Sequence, residues 1–587
     1  MQREFTATSA AGRRVRGAGD MKTEARTILL PLAVSGLAAC SISPPEPVPR
    51  VEMPPVERAY SGTGLPFASE AVYFLLTDRF VDGDLANNYE EQGGAERGTF
   101  DRPIKLEGKR PANIGYLGGD FKGIADHAGY LADMGFTAVW LTPIVDNPNE
   151  AFTGGLRPGE GLITDRGKTG YHGYWGVNFF VEDEHLISPG MLFEDLTRTL
   201  GAGHDLKVVL DIVCNHGSPS YTMPEDQPMY GEIYDRDGNL VADHENLRPG
   251  ELDPDNPLHA FYSREPGLAE LGDVDPDNPA VLDYFVDAYT QWIDRGAAAF
   301  RIDTIRHLPH EYWAKFAARI REYSPGFFMF GEAFSFSAEE IAEYTRPENG
   351  NLRVLDFPGQ RAMAAVFADD APYSELERVL HLDTGVYRNP YELLTFYDNH
   401  DLPRLDADED GFVDVHNWLF TSRGIPVVYY GSEIGFRAGT DQHGGNRDYF
   451  GIDNIARARS HRIHGALKGI ANVRKHSIAL QRGLQVNVEF TDDTAAFYRV
   501  YQDYFMRQTA LVLLNKSDAL EEIAVARWLS SGTWRDAFTG ETIRVRHDDP
   551  SLVVPVPAHG VRVLLFDAPV NNVRLMRELD RLQAEVD

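Results

Sequence analysis

The chain has 587 residues, 43% of them hydrophobic and 11% aromatic, and a formal net charge of −33 at pH 7. This length allows one large domain plus one or two small ones, and the composition is that of a folded globular protein. A strongly negative surface repels phosphate groups, so nucleic acid and anionic membrane surfaces are excluded as expected partners. The two cysteines, Cys40 and Cys214, form no disulfide framework, and Cys214 lies in an apolar run that predicts a buried free thiol.

The N-terminal region has the features of an export signal. From Met21, a short charged start precedes an apolar stretch that is too short to span a bilayer comfortably. The stretch ends in the sequence LAAC at Cys40, which resembles the bacterial lipoprotein box, where the cysteine is lipidated and becomes the mature N-terminus. An ordinary cleaved signal is the alternative. We expect residues 1–40 to be a signal peptide with its true start at Met21, and residues 41–68 to be an extended, unpacked proline-rich tether of an exported, membrane-anchored lipoprotein.

Eight short apolar runs alternate with longer amphipathic segments in the middle of the chain. Their nearly continuous apolar character predicts strands buried on both faces, as in a parallel sheet. Eight such strands with intervening helices predict a closed (β/α)8 TIM barrel. A doubly wound open sheet is the alternative, but no glycine-rich dinucleotide turn follows the first run. The strand candidates are residues 71–78, 138–144, 207–213, 298–303, 327–333, 352–357, 393–401 and 426–431.

Three further parts of the chain depart from this alternation. A long segment rich in Pro, Asp, Gly and Tyr follows the third strand candidate, and it predicts an inserted subdomain at about 217–271 within a barrel domain of 69–472. Short alternating runs predict a C-terminal antiparallel β-sandwich over 473–568. Residues 569–587 are predicted to form one amphipathic surface helix.

Polar side chains gather where the predicted strands end, which is where barrel enzymes carry their catalytic groups. A single carboxylate at a strand end is usually a helix cap or a salt-bridge partner. Three carboxylates with an arginine and two histidines instead predict one shared pocket. These residues are Asp303, Glu332, Asp401, Arg301, His216 and His400, and the third strand candidate adds Asp211 and Asn215 at its end.

Asp303 and Glu332 are the predicted nucleophile and acid/base of a retaining glycoside-cleaving enzyme. That mechanism needs two carboxylates roughly 5–5.5 Å apart. Arg301 stands two residues before Asp303 and therefore points the same way in a strand, where its charge would keep Asp303 ionised. Glu332 follows an apolar strand, where desolvation would raise its pKa toward that of a working acid.

Four segments, DIVCNH, AFRIDTIRH, FGEAF and YDNHD, resemble the four short blocks of the α-amylase family of α-glucan-active enzymes. The segment LGDVD resembles a further block of that family, and the resemblance extends from about residue 70 to 568. It implies that Asp303 is the nucleophile, Glu332 the acid/base and Asp401 the third carboxylate. The implied activity is retaining hydrolysis of α-1,4-glucosidic bonds in starch-type glucans or maltooligosaccharides.

The resemblance also implies a set of substrate-binding residues. Tyr174 would be a stacking platform for a sugar ring, although simple core packing is the alternative for this residue. Arg306 stands where many members carry lysine, so contacts beyond the cleavage point are expected to differ. The full set is Arg301, His216, His400, Tyr174, His172, Asp211, Arg306 and His307.

Calcium is the implied cofactor, because hard oxygen ligands suit this ion. Asn215, Asp273 and the carbonyl of His307 match the family's structural calcium ligands beside the inserted domain. A second loop resembles one in cyclodextrin glucanotransferases, with a solvated turn as the alternative; its residues are Asp82, Asp84, Asn87, Asn88, Gly118 and Asp120. The acidic loop 406–414 has the carboxylate spacing of an EF-hand, but Asn417 occupies the place of the expected glutamate. A solvated active-site rim is the favoured interpretation of this loop.

Ala269 favours hydrolysis over cyclisation. Cyclodextrin-forming transferases carry Tyr or Phe at this position, four residues before that of Asp273, and the glucan coils around that ring. The end of the chain soon after the β-domain supports the same expectation, since those transferases carry additional starch-binding domains. A transglycosylase or a cyclodextrin- or pullulan-degrading enzyme remains the alternative within the family. A non-catalytic glucan-binding lipoprotein is disfavoured, because all three carboxylates are present.

Overall fold

The computed structural model describes residues 58–90, 92–105, 110–157, 164–441, 445–548 and 550–586. The predicted signal peptide, Cys40 and most of the proline-rich tether lie outside these residues. Among the described residues, no helix combines the length and apolar character needed to cross a membrane.

Eight parallel strands form a sheet that closes on itself. In chain order they are β1 Val72–Leu75, β2 Ala138–Leu141, β3 Lys207–Ile212, β4 Ala297–Ile302, β5 Phe328–Gly331, β6 Arg353–Val354, β7 Leu394–Thr395 and β8 Ile425–Tyr429. A parallel bridge between Leu355, just after β6, and Leu394 in β7 closes the ring. Every residue of β1, β2, β5 and β8 is buried, which explains the continuous apolar runs. The predicted (β/α)8 barrel is confirmed.

Helices alternate with these strands. The helix before β4 begins at Pro279, and the side chain of its N-cap Asn278 accepts from the backbone N–H of Ala280; the helix buries Phe285 and Tyr289 on its apolar face. The α-helices are Thr77–Phe80, Gly94–Arg97, Phe121–Asp126, Ala128–Asp133, Phe193–His204, Pro279–Asp294, His310–Tyr323, Ala338–Ala342, Phe357–Phe367, Ser374–Val379, Glu409–Thr421, Gly451–Ala458, Arg462–Lys475, Ile478–Arg482 and Val573–Val586.

The insertion after β3 shares a sheet with the segment after β2. Strand His216–Pro219 leaves the barrel and pairs antiparallel with strand Leu271–Asp273, which returns to it. Between them, a hairpin joins two strands of the preceding connection in one four-stranded sheet. The order of that sheet is Leu240–Asp243, Glu232–Tyr234, Asn178–Glu182 and Val145–Asp146. The insertion is therefore fixed to a second barrel loop by backbone hydrogen bonds.

The C-terminal part is antiparallel β-structure, as predicted. Its strands are β9 Leu484–Phe490, β10 Thr494–Gln502, β11 Arg507–Asn515, β12 Glu521–Val525, β13 Gly532–Asp536, β14 Thr542–Val545, β15 Leu552–Val556 and β16 Gly560–Phe566. Six of them form one sheet in the order β9-β10-β11-β16-β13-β14, and β12 pairs with β15. The terminal helix Val573–Val586 buries Leu575, Leu579 and Leu582, which form the single apolar face expected of a surface helix.

The described end of the proline-rich segment is packed, so the prediction of an unpacked tether over 41–68 is wrong for residues 58–68. The backbone of Tyr60 pairs with that of Gln502 in β10, and the Tyr60 side chain is buried. Phe67 is also buried and stacks on Phe328 of β5 at a ring distance of 4.1 Å. The buried side chains of Tyr60 and Phe67 stabilise the packing of this segment against the rest of the protein, which the proline-rich sequence before it did not predict.

Arg499 in β10 joins the β-domain to the barrel. Its buried guanidinium donates to the carbonyl of Thr421 at 2.9 Å, to that of Ser422, and to that of Gly483 at 3.1 and 3.2 Å. Thr421 is the last residue of the barrel helix Glu409–Thr421. One side chain thus satisfies carbonyl groups on both sides of the junction.

Replacing Arg499 with alanine should destabilise this junction. The substitution leaves buried carbonyl oxygens without donors, and we expect a loss of about 3 kcal/mol in the free energy of unfolding. The measurement is the midpoint of denaturant-induced unfolding. The matched control is Arg544→Ala on the exposed face of β14, which should leave the midpoint unchanged. An equal response of the two variants would contradict this role of Arg499.

Candidate active site

A cavity of about 610 Å³ opens at the carboxyl ends of the barrel strands. It brings together the three predicted carboxylates and most of the predicted sugar-binding residues. It is lined by Lys168, His172, Tyr174, Trp175, His216, Leu268, Leu271, Asp303, Thr304, Arg306, His307, Glu332, Phe334, His400, Asp401 and Arg447.

Arg301 lies beneath this cavity and binds three carboxylates. Its Nη1 is 2.8 Å from Asp211 and 2.6 Å from Asp303, and its Nη2 is 2.9 Å from Glu332. The parallel register explains the arrangement, because Arg301 lies opposite Asp211 in β3 and Phe330 in β5. One guanidinium therefore holds Asp303 and Glu332 close together at the floor of the cavity.

Glu332 is placed to carry a proton at neutral pH. Burial raises the pKa of Glu332 to about 8; Arg301 opposes this rise, and the negative charges of Asp303 and Asp401 add to it. Its Oε1 is buried and has no hydrogen-bond partner among the described residues. An acid that is protonated near neutral pH and faces the cavity can donate its proton to a leaving group.

Asp401 is in the opposite state. Burial alone would raise the pKa of Asp401, but interactions with His400 and Arg447 outweigh burial and lower it. The Nε2 atom of His400 is 3.0 Å from Asp401, and Nη2 of Arg447 is 2.7 Å from it. Burial lowers the pKa of His400 to about 3, so its imidazole is neutral. Asp401 is therefore an ionised group that can accept hydrogen bonds from hydroxyls.

Tyr174 forms one wall of the cavity. Its ring lies parallel to that of His400, at a centroid distance of 5.4 Å and an interplanar angle of 6°. The Tyr174 hydroxyl donates to Asp211 at 2.9 Å, and Nδ1 of His172 accepts the Tyr174 backbone N–H at 3.1 Å. The Tyr174 side chain thus packs on its neighbours and also lines the cavity, and its role as a stacking platform for a sugar ring stays a prediction.

Asp211 and Arg301 are not where the sequence analysis placed them. Both were predicted to contact substrate, but neither lines the cavity, and Arg301 is fully buried. Asp211 accepts hydrogen bonds from Trp140 at 3.0 Å, from Tyr174 and from Arg301. These two residues position the side chains that face the cavity.

The cavity also contains residues that sequence reasoning missed. Arg447 follows a glycine-rich loop after β8 and carried no strand-end signal. Lys168 is buried in the loop before His172, and burial lowers the pKa of Lys168 to about 8. Phe334 lies two residues after Glu332 and is 42% exposed, and its carbonyl accepts from Arg306 at 2.5 Å. The position of Phe334 as the last residue of the FGEAF segment was the only available signal.

The loop around Asp82 has the features of an oxygen-lined cation site. Asp82 Oδ1, Asn87 Oδ1 and Asn88 Oδ1 are buried without hydrogen-bond partners. A Cβ atom on Gly118 would lie 2.5 Å from the Asn88 oxygen and 2.6 Å from Asp82, so only glycine fits there. Asp120 accepts from Asn87 at 3.1 Å. Buried polar atoms normally have hydrogen-bond partners, and Ca²⁺ prefers oxygen ligands. The three unpaired side-chain oxygens of this loop are therefore suited to bind Ca²⁺.

The other predicted calcium ligands, Asp84, Asn215 and Asp273, already form hydrogen bonds within the protein. Asp84 caps the N–H of Ala86 at 3.0 Å. Asp273 lies beside Asn215 as predicted, but its two oxygens accept from the Asn215 amide at 3.0 Å and from the Leu268 N–H at 2.9 Å. Burial raises the pKa of Asp273 to about 6, which a bound cation would oppose.

The acidic loop 406–414 begins a helix. Asp408 caps the backbone N–H of Gly411 at the start of Glu409–Thr421, and Asp414 is buried 2.7 Å from His559. Among the described residues, the His and acidic side chains that lie close enough together to bind one metal ion belong to another segment of the chain. They are Asp183, Glu184 and His185.

The comparisons with known proteins agree with this geometry. The family model "Alpha amylase, catalytic domain" matches residues 74–502. The chain is 29% identical over 515 residues to a cyclomaltodextrin glucanotransferase of Klebsiella oxytoca (78% of this chain, 72% of that protein). It is 27% identical over 503 residues to an α-amylase of Niallia circulans (82% and 87%). A transferase of Bacillus sp. strain 38-2 is 30% identical over 475 residues (77% of this chain), and the match spans only 60% of that protein.

The solved structures that resemble this chain also include both a glucanotransferase and an α-amylase. The three-domain cyclomaltodextrin glucanotransferase CldA is 27% identical with a TM-score of 0.68, covering 85% of this chain and 99% of that one. The α-amylase of Geobacillus thermoleovorans in complex with acarbose is 25% identical with a TM-score of 0.63, covering 85% and 98%.

Fold and site together define a barrel enzyme that acts on glycosidic bonds. This chain belongs to the α-amylase family.

The raised pKa of Glu332 predicts the alkaline limb of the pH profile. Since Glu332 must carry a proton to act as the acid, kcat/KM should be full below this pKa and fall as pH rises through about 8. The measurement is the initial rate on a maltooligosaccharide from pH 5 to pH 10.

Glu332→Gln should lose about 10³-fold in kcat/KM and flatten this limb, because an amide donates no proton. A maltosyl fluoride, whose leaving group needs no proton, should still react with this variant. An alkaline limb that persists in Glu332→Gln would assign the titration to another group.

Proposed function

We propose that the chain is a retaining hydrolase of α-1,4-glucosidic bonds in starch-type glucans or maltooligosaccharides. The observation that carries the proposal is the Arg301 fork, which binds Asp303 and Glu332 within 2.9 Å, together with the burial of Glu332, which raises its pKa to about 8. A retaining mechanism requires a carboxylate nucleophile and a protonated carboxylic acid, and we assign these roles to Asp303 and Glu332.

The proposed reaction has two steps. Asp303 attacks the anomeric carbon while Glu332 gives its proton to the leaving oxygen, and a covalent glucosyl–enzyme forms. Glu332 then takes a proton from water, which attacks the same carbon and releases the product with its original configuration. Asp401 accepts hydrogen bonds from ring hydroxyls, and the Tyr174 face packs on the sugar.

The insertion beside the cavity supports hydrolysis over cyclisation. Leu268 and Leu271 line the cavity, whereas Ala269 does not. Ala269 has a positive φ of 52°, and its carbonyl accepts from the Tyr221 hydroxyl at 2.8 Å. The side chain at this turn is a methyl group, so no aromatic ring projects from it to hold a coiled glucan.

Transglycosylation is the second candidate, because relatives named as cyclomaltodextrin glucanotransferases align over most of the chain. Phe334 favours it, since an exposed ring beside the acid can hold an acceptor sugar by stacking. The two activities differ only in whether water or a sugar hydroxyl attacks the covalent intermediate.

Cleavage of maltoheptaose in H₂¹⁸O separates the two candidates. For hydrolysis, we expect one ¹⁸O in the new reducing end for each bond broken, short linear products, and the α-anomer first in the proton NMR spectrum. The Asp303→Asn variant is the control and should show no turnover. Cyclic or lengthened products without ¹⁸O would overturn the hydrolase assignment and leave the retaining mechanism standing.

Calcium in the Asp82 loop is part of the proposal. Asp82, Asn87 and Asn88 would hold the ion through their unpaired oxygens, with the Gly118 backbone close by and Asp120 supporting the amide of Asn87. The ion would fix this loop against the segment that precedes Phe121–Asp126, and it takes no part in the chemistry.

Chelation should therefore lower thermal stability. A ligand that binds only the folded state stabilises it by mass action, so EDTA should lower Tm and added Ca²⁺ should restore it. In Asp82→Ala, the calcium-dependent part of Tm should shrink. The control is Asp126→Asn, an exposed carboxylate on the neighbouring helix. An unchanged Tm with EDTA in the unsubstituted protein would rule out a stabilising ion.

We also propose that the protein is exported and anchored through a lipid on Cys40. The LAAC sequence, the apolar stretch before it and the charged residues after Met21 support this assignment.

A further inference from the structure

A short turn at one end of the C-terminal domain exposes three large apolar side chains in succession. Tyr504, Phe505 and Met506 connect β10 to β11 and are 53%, 79% and 51% exposed. Elsewhere in the described part of the chain, large exposed apolar residues occur singly in the sequence. Isolated exposed apolar residues are ordinary, whereas a contiguous group indicates an interaction surface. We call these three residues the apolar tip.

The apolar tip is held in one conformation by Asp503. The Asp503 carboxylate accepts from the backbone N–H of Phe505 at 2.7 Å, from that of Met506 at 2.6 Å, and from the Tyr501 hydroxyl at 2.9 Å. The N–H of Asp503 donates to the carbonyl of Met506 at 2.8 Å. The N–H groups of Asp503, Phe505 and Met506 are therefore satisfied within the protein, which lowers the cost of moving the tip out of water.

The described chain begins next to this tip. The backbones of Tyr60 and Gln502 exchange hydrogen bonds of 2.7 and 2.8 Å, and the Gln502 side chain donates to the carbonyl of Arg58 at 2.8 Å. Gln502 is the last residue of β10, two positions before Tyr504. In the sequence, residues 41–57 alone separate Arg58 from Cys40. The segment that leads to Cys40 in the sequence therefore joins the described part of the chain beside the apolar tip.

We propose that the apolar tip inserts into the interface of the lipid bilayer to which Cys40 is anchored. This inference rests on the proposed lipid anchor. A tether keeps the tip near the bilayer, so even a weak intrinsic affinity becomes effective. Aromatic side chains with a polar end suit the headgroup region. The net charge of −33 opposes approach of the whole body, and three apolar side chains beside Arg507 offer a local contact that does not depend on charge attraction.

The test uses the lipidated full chain with an environment-sensitive NBD fluorophore on Phe505→Cys, reconstituted in phosphatidylethanolamine–phosphatidylglycerol vesicles. Cys214 is fully buried and will not compete for the label. The control is Leu520→Cys, 60% exposed and past the far end of β11. We expect the probe at position 505 to show blue-shifted emission and quenching by spin-labelled lipid, and the probe at position 520 to show neither. Both effects should be lost when the chain with the probe at position 505 also carries Tyr504→Ser and Met506→Ser.

Three results would overturn the proposal, and they are distinguishable. A mass spectrum without lipid on Cys40 removes the anchor. A lipidated chain whose probe at position 505 emits as the control does places the tip in water. A shift produced by soluble starch and not by vesicles would assign the tip to glucan binding instead. None of these results bears on the ¹⁸O measurement, so the proposed hydrolysis stands or falls separately.

Discussion

The active site depends on one buried guanidinium. Arg301 has no access to solvent and lies within 2.9 Å of carboxylates on three neighbouring strands. Removing a cation from water is costly unless negative charge compensates it, and three carboxylates would repel one another without it. Each group therefore requires the others. The barrel supplies the register that brings them together, and the tight constraint leaves Asp303 and Glu332 little freedom in their relative positions.

This shared cation also separates the protonation states of the carboxylates. Asp401 has its own partners in His400 and Arg447, and its pKa is lowered. Glu332 shares Arg301 with two other acids, and burial raises its pKa to about 8. Near neutral pH the cavity therefore contains a proton donor and an ionised acceptor side by side. The partners of Asp401 and its greater exposure, 31% of the side chain against 5% for Glu332, both favour its ionised form, so charge and burial together assign these two roles.

The sequence predicted the parts of the molecule that local chemistry determines. Continuous apolar runs indicated the barrel strands, and strand ends indicated Asp303, Glu332 and Asp401, because side-chain type and position along one strand suffice for both. Burial relative to a cavity depends on several strands at once, so Arg301 and Asp211 were misplaced as sugar contacts. Arg447 reaches the site from a distant loop, which no strand pattern reveals. The packing of residues 58–68 was missed because the proline-rich signal of residues 44–55 was extended over a segment whose one proline is Pro66.

The division between strand ends and loops explains why similar chains carry different names. In the proposed mechanism, the strand ends fix how the bond breaks, and a covalent intermediate on Asp303 is common to hydrolysis and transfer. The same proposal assigns the choice of what attacks that intermediate to residues such as Phe334 and to the turn at Ala269, which lie on loops, where change is tolerated. Relatives about 30% identical that share the barrel can then differ in their loops and in their activity. On this proposal, reaction class is a property of the barrel, and the choice between water and sugar is a property of its rim.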